Sequence, residues 1–169
     1  MSERARGRAQ GPRRSGGTGA RGVRVLAVLV GAGLAAASPA RAEVTADCEL
    51  FEISAKAGGA EAIDAELRPL EKKLKKPPFS AWTQFKLLSH TQKPLTKKKV
   101  ESIPLKLGSA TATLVEIVDK SKVRLTITMD DDKGKHVANN TTTVEAGDYV
   151  VFVHSLPGNE GHLLSVTCK

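Results

Sequence analysis

The sequence contains no G-x-S-x-G elbow, no H-E-x-x-H or H-x-H pair, no C-x-x-C spacing and no cofactor fingerprint. Each absence removes a class of chemistry. A serine hydrolase of the common type, a zinc protease, a dithiol oxidoreductase and a nucleotide-dependent enzyme all lack their usual signature, so the domain is expected not to be an enzyme and to need no cofactor. Aromatic residues are few, with one Trp, one Tyr and four Phe. Arginine is almost missing beyond residue 42, where only Arg68 and Arg124 remain. Proteins that read phosphates and bases lean on Arg forks and stacked aromatics, so no nucleic acid partner is expected.

Long hydrophobic runs are missing as well. The longest uncharged apolar stretch, Val25 to Ala37, covers 13 residues, whereas a membrane-spanning helix needs about 20. Seven arginines precede it, and Ser38-Pro39-Ala40-Arg41-Ala42 follows with small residues at the two positions a signal peptidase reads. Residues 1–42 are therefore expected to be a signal peptide cleaved after Ala42, leaving no transmembrane anchor and a product that is periplasmic or secreted. Arg13-Arg14 stands far from the apolar run and is followed by Ser-Gly-Gly. That placement favours the general secretory route over a twin-arginine signal, and a start near Val23 would open a compact signal of the same kind.

The charge divides unevenly. Of 26 Lys and Arg and 18 Asp and Glu, eight Arg and one Glu lie within residues 1–42, which leaves 18 basic against 17 acidic residues in the rest. The formal +8 of the whole chain thus becomes +1 in the part that would be delivered. Residues 43–169 are long enough for one core and are expected to form a single domain. Both cysteines, Cys48 and Cys168, belong to it, and in an oxidising compartment they are expected to form one structural disulfide.

What is present is strand periodicity. From Lys122 to Asp130, Val123, Leu125, Ile127 and Met129 alternate with polar residues, as in a strand with one buried and one wet face. Ser109 to Val118, His136 to Val144, Tyr149 to His154 and Leu163 to Cys168 read as further strands, separated by turn sequences such as Asp131-Asp132-Lys133-Gly134 and Ala146-Gly147-Asp148. Pro157 to Gly161 reads as a loop. Asp47 to Ala55, Ala81 to Thr91 and Val100 to Leu107 complete the set, with Pro104 confining the last to an edge. Ile63, Leu67, Leu70 and Leu74 share a helical stripe, which predicts one helix from about Asp64 to Lys76 stopped by Pro77-Pro78. The expectation is a mainly β protein: an antiparallel β-sandwich, immunoglobulin-like or Greek-key/meander, of about seven or eight strands. With Cys48 early in the first strand and Cys168 late in the last, a bridge between them requires those strands to run antiparallel.

Few side chains suggest a site. Lys72, Lys73, Lys75 and Lys76 on the helix and Lys97, Lys98 and Lys99 before the edge strand form a candidate anion-binding patch, set against a solvated face and lysines that guard an edge. His154 and His162 flank the Pro157 loop and are the best-placed metal candidates, though two ligands make an incomplete site. Trp82, Phe85, Tyr149 and Phe152 read as core rather than as a carbohydrate platform. The expected role is a binding or structural module of the cell envelope, with an envelope protein or an anionic envelope polymer as partner. An accessory or inhibitor subunit of an envelope or secretion complex is the first alternative. A small metal-dependent or hydrolytic enzyme, which would need His90, His136, His154 and His162 to converge with carboxylates, is the second.

Overall fold

The computed structural model describes residues 42–169; the expected leader, up to Arg41, lies outside the described residues. Nine strands are present among the described residues. They are β1 (Thr45–Lys56), β2 (Ala62–Ile63), β3 (Gln84–Thr96), β4 (Val100–Pro104), β5 (Ser109–Asp119), β6 (Lys122–Asp130), β7 (His136–Glu145), β8 (Val150–Leu156) and β9 (Glu160–Cys168). One sheet has the order β2-β3-β1-β9-β8 and the other β4-β5-β6-β7. Every pairing is antiparallel except the two-residue β2–β3 contact. The second sheet is a plain meander, and the chain then crosses to the first sheet, where β8 and β9 form a hairpin beside β1.

The two sheets face each other across one core. Ala46, Cys48, Leu50 and Leu164 from the first sheet meet Ala112, Leu114, Leu125 and Ile127 from the second, all buried. The period-two reading of Lys122–Asp130 is observed at the predicted bounds, with Val123, Leu125, Ile127 and Met129 buried and their alternates at least partly exposed. The strand expected from Val100 to Leu107 is an edge strand but stops at Val100–Pro104, ended by its proline.

A second core lies on the opposite face of the first sheet. Phe51, Ile53, Ala55, Phe85 and Leu163 are covered there by Leu67, Leu70 and Leu74. These leucines are the stripe read from the sequence, yet the helix that carries them differs from the expected Asp64–Lys76. Ala65–Leu70 is a 3-10 segment, only Glu71–Leu74 (α1) is α-helical, and Phe79–Ala81 forms another 3-10 turn. The physical reason is Pro69, which lies inside the 3-10 segment and has no N–H to donate to an α-helical ladder. Asp64, placed as an N-cap would be, makes no capping bond; its Oδ2 accepts instead from Leu87 N at 2.8 Å.

Trp82 closes the assembly. Its Nε1 donates to Asn159 O at 3.1 Å, and its ring lies so close to Gly161 that a Cβ there would stand 2.7 Å from Cζ2. The loop before Gly161 is shorter than the expected Pro157–Gly161, because Gly158 and Asn159 both take positive φ and reverse the chain at once. The final strand consequently starts at Glu160 rather than Leu163.

The disulfide is formed between Cys48 and Cys168, which are direct cross-strand partners in the antiparallel β1–β9 pair. First and last strands are therefore neighbours, as the bridge requires. The cysteines are 120 residues apart in sequence, so the cross-link removes a large loop entropy from the unfolded chain. Replacing both cysteines by serine is expected to lower the unfolding free energy by up to about 4 to 5 kcal/mol. Urea unfolding of the intact and the doubly substituted domain measures this, and dithiothreitol should bring the intact domain to the variant's midpoint.

Candidate functional site

The ionisable groups of the interior converge on one carboxylate. Glu52 sits in β1 between Phe51 and Ile53, which face the second core, so its own side chain points into the space between the sheets. It is 1 % exposed, as is His162. Oε1 is bonded to His162 Nε2 at 3.0 Å and accepts from Leu107 N at 2.9 Å. Oε2 accepts from Ser89 Oγ at 2.7 Å and from Lys106 N at 2.7 Å. The donors come from three places: β9, β3 and the β4–β5 connection, so the carboxylate ties the two sheets together. Gly108, beside those donors, has φ +114° and stands where a Cβ would collide with Asp130 O. The connection can thus fold tightly against β6 only with glycine there.

Ser89, Glu52 and His162 are the three residue types of a hydrolase triad in the wrong order. In a triad the imidazole stands between hydroxyl and carboxylate and takes the hydroxyl proton. Here the carboxylate stands between the other two, and the hydroxyl donates to it directly. The group is a satisfied buried network, not an activated nucleophile.

The remaining histidines do not join it. His90 is bonded to Glu49 and His136 to Asp130, while His154 makes no side-chain hydrogen bond or ion pair among the described residues. His154 and His162 are direct partners in the β8–β9 register, as expected of a hairpin, but His162 is spent on Glu52. No group of three or more His, Cys, Asp or Glu able to hold a metal exists among the described residues.

The lysine patch is divided and partly neutralised. Lys73 binds Asp148 at 2.8 Å and also the carbonyl of Tyr149; Lys75 bridges Glu61 at 2.7 Å and Glu71 at 2.8 Å; Lys99 pairs with Glu101 at 3.0 Å. Glu61 and then Glu71 hold the Lys75 ammonium above its ordinary pKa, so it stays charged but occupied. Lys72, Lys76, Lys97 and Lys98 make no ion pair among the described residues. Lys72 lies within α1 and Lys76 just beyond it, while Lys97 and Lys98 occupy the turn between β3 and β4, so the seven do not make one continuous anion cradle.

A polar groove of about 370 Å³ lies at the disulfide end of the first sheet, lined by Asp47, Glu49, Gln92, Pro94, Thr167 and Lys169 among others. Glu49 is its organising residue: Oε1 is bonded to His90 Nε2 at 2.8 Å and accepts from Gln92 Nε2 at 3.2 Å. His90 stacks flat on Phe51, with centroids 4.5 Å apart and planes 3° from parallel. Phe51 in turn meets Tyr149 at 6.0 Å. Phe51 is on β1 opposite Ser165 of β9, and Tyr149 precedes β8, the strand on the other side of β9. Burial, then the nearby Glu49 charge, raises the Tyr149 phenol pKa. Ser165 and Thr167 are buried, and their hydroxyls find no hydrogen-bond partner in the protein. Buried polar groups are nearly always paired, so these two hydroxyls on β9 are exceptions within the packed outer face of the first sheet.

None of Glu49, Glu52, Ser89, Gln92 or Thr167 was singled out by the sequence reading. One signal for Glu52 existed: a carboxylate between Phe51 and Ile53, in a run where both faces of the strand are apolar.

Burial alone would raise the pKa of Glu52, but the bonds from His162, Lys106, Ser89 and Leu107 outweigh it and lower it from 4.5 to about 2. The folded pKa lies below the unfolded one. The stabilisation is therefore fully present above about pH 4.5 and is lost as pH falls toward 2, with a size of about 3 kcal/mol. Glu52→Gln is expected to be destabilised at neutral pH, because its amide NH₂ must face a main-chain N–H, that of Lys106 or that of Leu107, and the variant should lack this acid-labile component. Urea unfolding of both proteins over that range checks this through the difference between the two curves. Comparison of the chain with protein-family models, curated proteins and solved structures finds no match, so the chemistry of the groove and of the buried network is read from these residues alone.

Proposed function

We propose that the chain is exported to the periplasm or beyond and serves there as a binding module of the cell envelope, with the groove at the disulfide end as its binding site. Export is supported by the leader read from the sequence and by the Cys48–Cys168 bridge, which suits an oxidising compartment. No helix among the described residues is long and apolar enough to cross a membrane.

The observation that carries the binding reading is the contrast between the two polar clusters. Around Glu52, every oxygen is consumed internally, and nothing is left for a ligand. Around Glu49, a half-buried carboxylate and the side-chain amide of Gln92 line an open groove. Asp47, Glu49, Lys93 and Lys169 bring charges of both signs to the groove, with Lys93 itself paired to Glu101 at 2.7 Å, so the groove is not a cradle for an anion. Interleaved donors and acceptors suit hydroxyls, which both donate and accept. A neutral, hydroxyl-rich ligand such as an envelope saccharide fits this better than an anionic polymer.

Purified residues 43–169 test the reading by thermal unfolding in the presence of short oligomers of glucose and of N-acetylglucosamine, with heparin and polyphosphate as anionic comparators. A saccharide at about ten times its Kd should stabilise by about 1.4 kcal/mol, roughly 3 °C or more in Tm. The shift should survive high salt and disappear in Glu49→Ala and Gln92→Ala. A shift produced only by the anionic polymers, or one that those two substitutions leave intact, would defeat the groove assignment. Mass spectrometry of the exported protein should place its first residue at Glu43.

A further inference from the structure

The sandwich has two open sides, and they are built differently. On one side stand β4 and the outer edge of β3. β4 is short, only Val100–Pro104, and ends in proline; Lys97, Lys98 and Lys99 precede it, and Pro94 interrupts the donors of β3. Lys93 reaches from β3 to Ser102 O at 3.2 Å and to Glu101 at 2.7 Å, bridging the two edges. Short length, proline and lysine are the devices by which edge strands avoid pairing with another chain. This side carries all of them.

The other side is formed by β7 and β8, the last strands of their sheets. β7 is ten residues long, and its stretch from Val137 to Val144 contains no charge, no proline and no glycine. Asn139, Asn140, Thr141 and Thr143 are exposed there. Beyond its ladder with β6, none of the backbone hydrogen bonds of the described residues involves this stretch. Its side chains already take part in a cross-strand ladder, since Thr141 and Thr126 hydroxyls are bonded at 2.8 Å. Threonine and asparagine continue such ladders from strand to strand.

We infer that β7 is the pairing edge of a two-fold homodimer, in which the β7 strands of two copies join antiparallel and extend each four-stranded sheet into one of eight. The partner is a second copy because of the charge pattern. In a two-fold antiparallel pair, residues of the same strand meet one another, so any charge near the axis meets a like charge. A strand that recruits a different protein gains specificity from opposite charges, and Val137 to Val144 carries none, the one charge of the strand being Glu145 at its end. Directly opposed residues must share a face, which places the axis on a residue rather than between two. An axis at Asn140 opposes Asn139 to Thr141 of the second copy and Ala138 to its Thr142. It uses the regular stretch from Ala138 to Thr142, which ends at the bulge that leaves Val137 without a partner in β6.

Sedimentation equilibrium of residues 43–169 over a concentration series is the test, with hydrogen exchange of the amides in parallel. A monomer–dimer equilibrium is expected, with amides of residues 138–142 becoming protected as the dimer forms. Asn139→Lys with Thr141→Lys opposes like charges twice across the axis and should weaken the dimer at least about tenfold while leaving the circular dichroism spectrum unchanged. Ser102→Lys, on the guarded β4 edge, should leave dimerisation as it is. A protein monomeric at all concentrations overturns the inference. So does a dimer that survives the double substitution, or one whose protected amides lie outside β7. The pairing is independent of the groove reading, because Glu49→Ala should not affect it.

Discussion

The relative position of the two sheets depends on one carboxylate. Glu52 lies on the strand at the centre of the first sheet, and two of its four hydrogen bonds come from main-chain N–H groups of the β4–β5 connection. Hydrophobic contacts between sheets are non-directional and tolerate sliding by a fraction of a residue. Charge-assisted bonds at 2.7 to 3.0 Å are not tolerant in that way. A buried charge with all its bonds made contributes little net stability relative to an apolar replacement, yet breaking it leaves a large uncompensated cost. Its effect here is to select one packing among many apolar alternatives.

β1 distributes these constraints along its length. Cys48 on its inner face is bound to β9, and Glu52, four residues on, is bonded to β3, to β9 and to the opposite sheet. On the outer face, Glu49 organises the groove and Phe51 carries the stacked His90. The groove is therefore built on the most constrained element of the molecule, flanked by the disulfide at one end and the buried network at the other. A binding site needs its polar groups fixed before the ligand arrives, because ordering them afterwards subtracts from affinity. Glu49 and Gln92, on paired strands with a hydrogen bond between them, meet that condition without a flexible loop.

Much of the sheet structure was legible because one-sided burial writes itself as period two. Lys122–Asp130 could be delimited to the residue for that reason, and the antiparallel relation of the end strands followed from where the two cysteines fall. The helical segment was legible in its leucines but not in its geometry, since the stripe of Leu67, Leu70 and Leu74 reports which face is buried and not which hydrogen bonds Pro69 forbids. β9 was placed too short for a related reason. Its residues from Gly161 to Cys168 are buried on both faces, so no alternation marks its start, and Gly161 resembles a loop residue until the Trp82 ring that demands it is known. The sites were the least legible. Glu52, Ser89 and His162 come from three distant segments, and their convergence is set by strand order, which local pattern does not contain. The lysines showed the opposite error: a conspicuous cluster in sequence whose members the fold sends to different places, several of them already paired with carboxylates.

The distribution of charge over the folded surface then acquires a direction. Proline and lysine gather at one side of the sandwich and leave the other neutral, although Lys is common throughout residues 43–169. Neutrality of an edge strand is not a default in such a composition. With 35 of 127 residues charged, both edge strands on this side are free of Asp, Glu, Lys and Arg, over Val137–Val144 in β7 and Val150–Leu156 in β8, where exposed edges are commonly guarded by charge. The groove and β7 belong to different sheets and to different faces of the molecule. A pair joined through β7 would leave both grooves open, one on each copy, and a repeating envelope ligand could then be held at two points. Two weak sites held in one rigid pair bind such a ligand far more tightly than either alone, which is the physical advantage that joining two shallow grooves would supply.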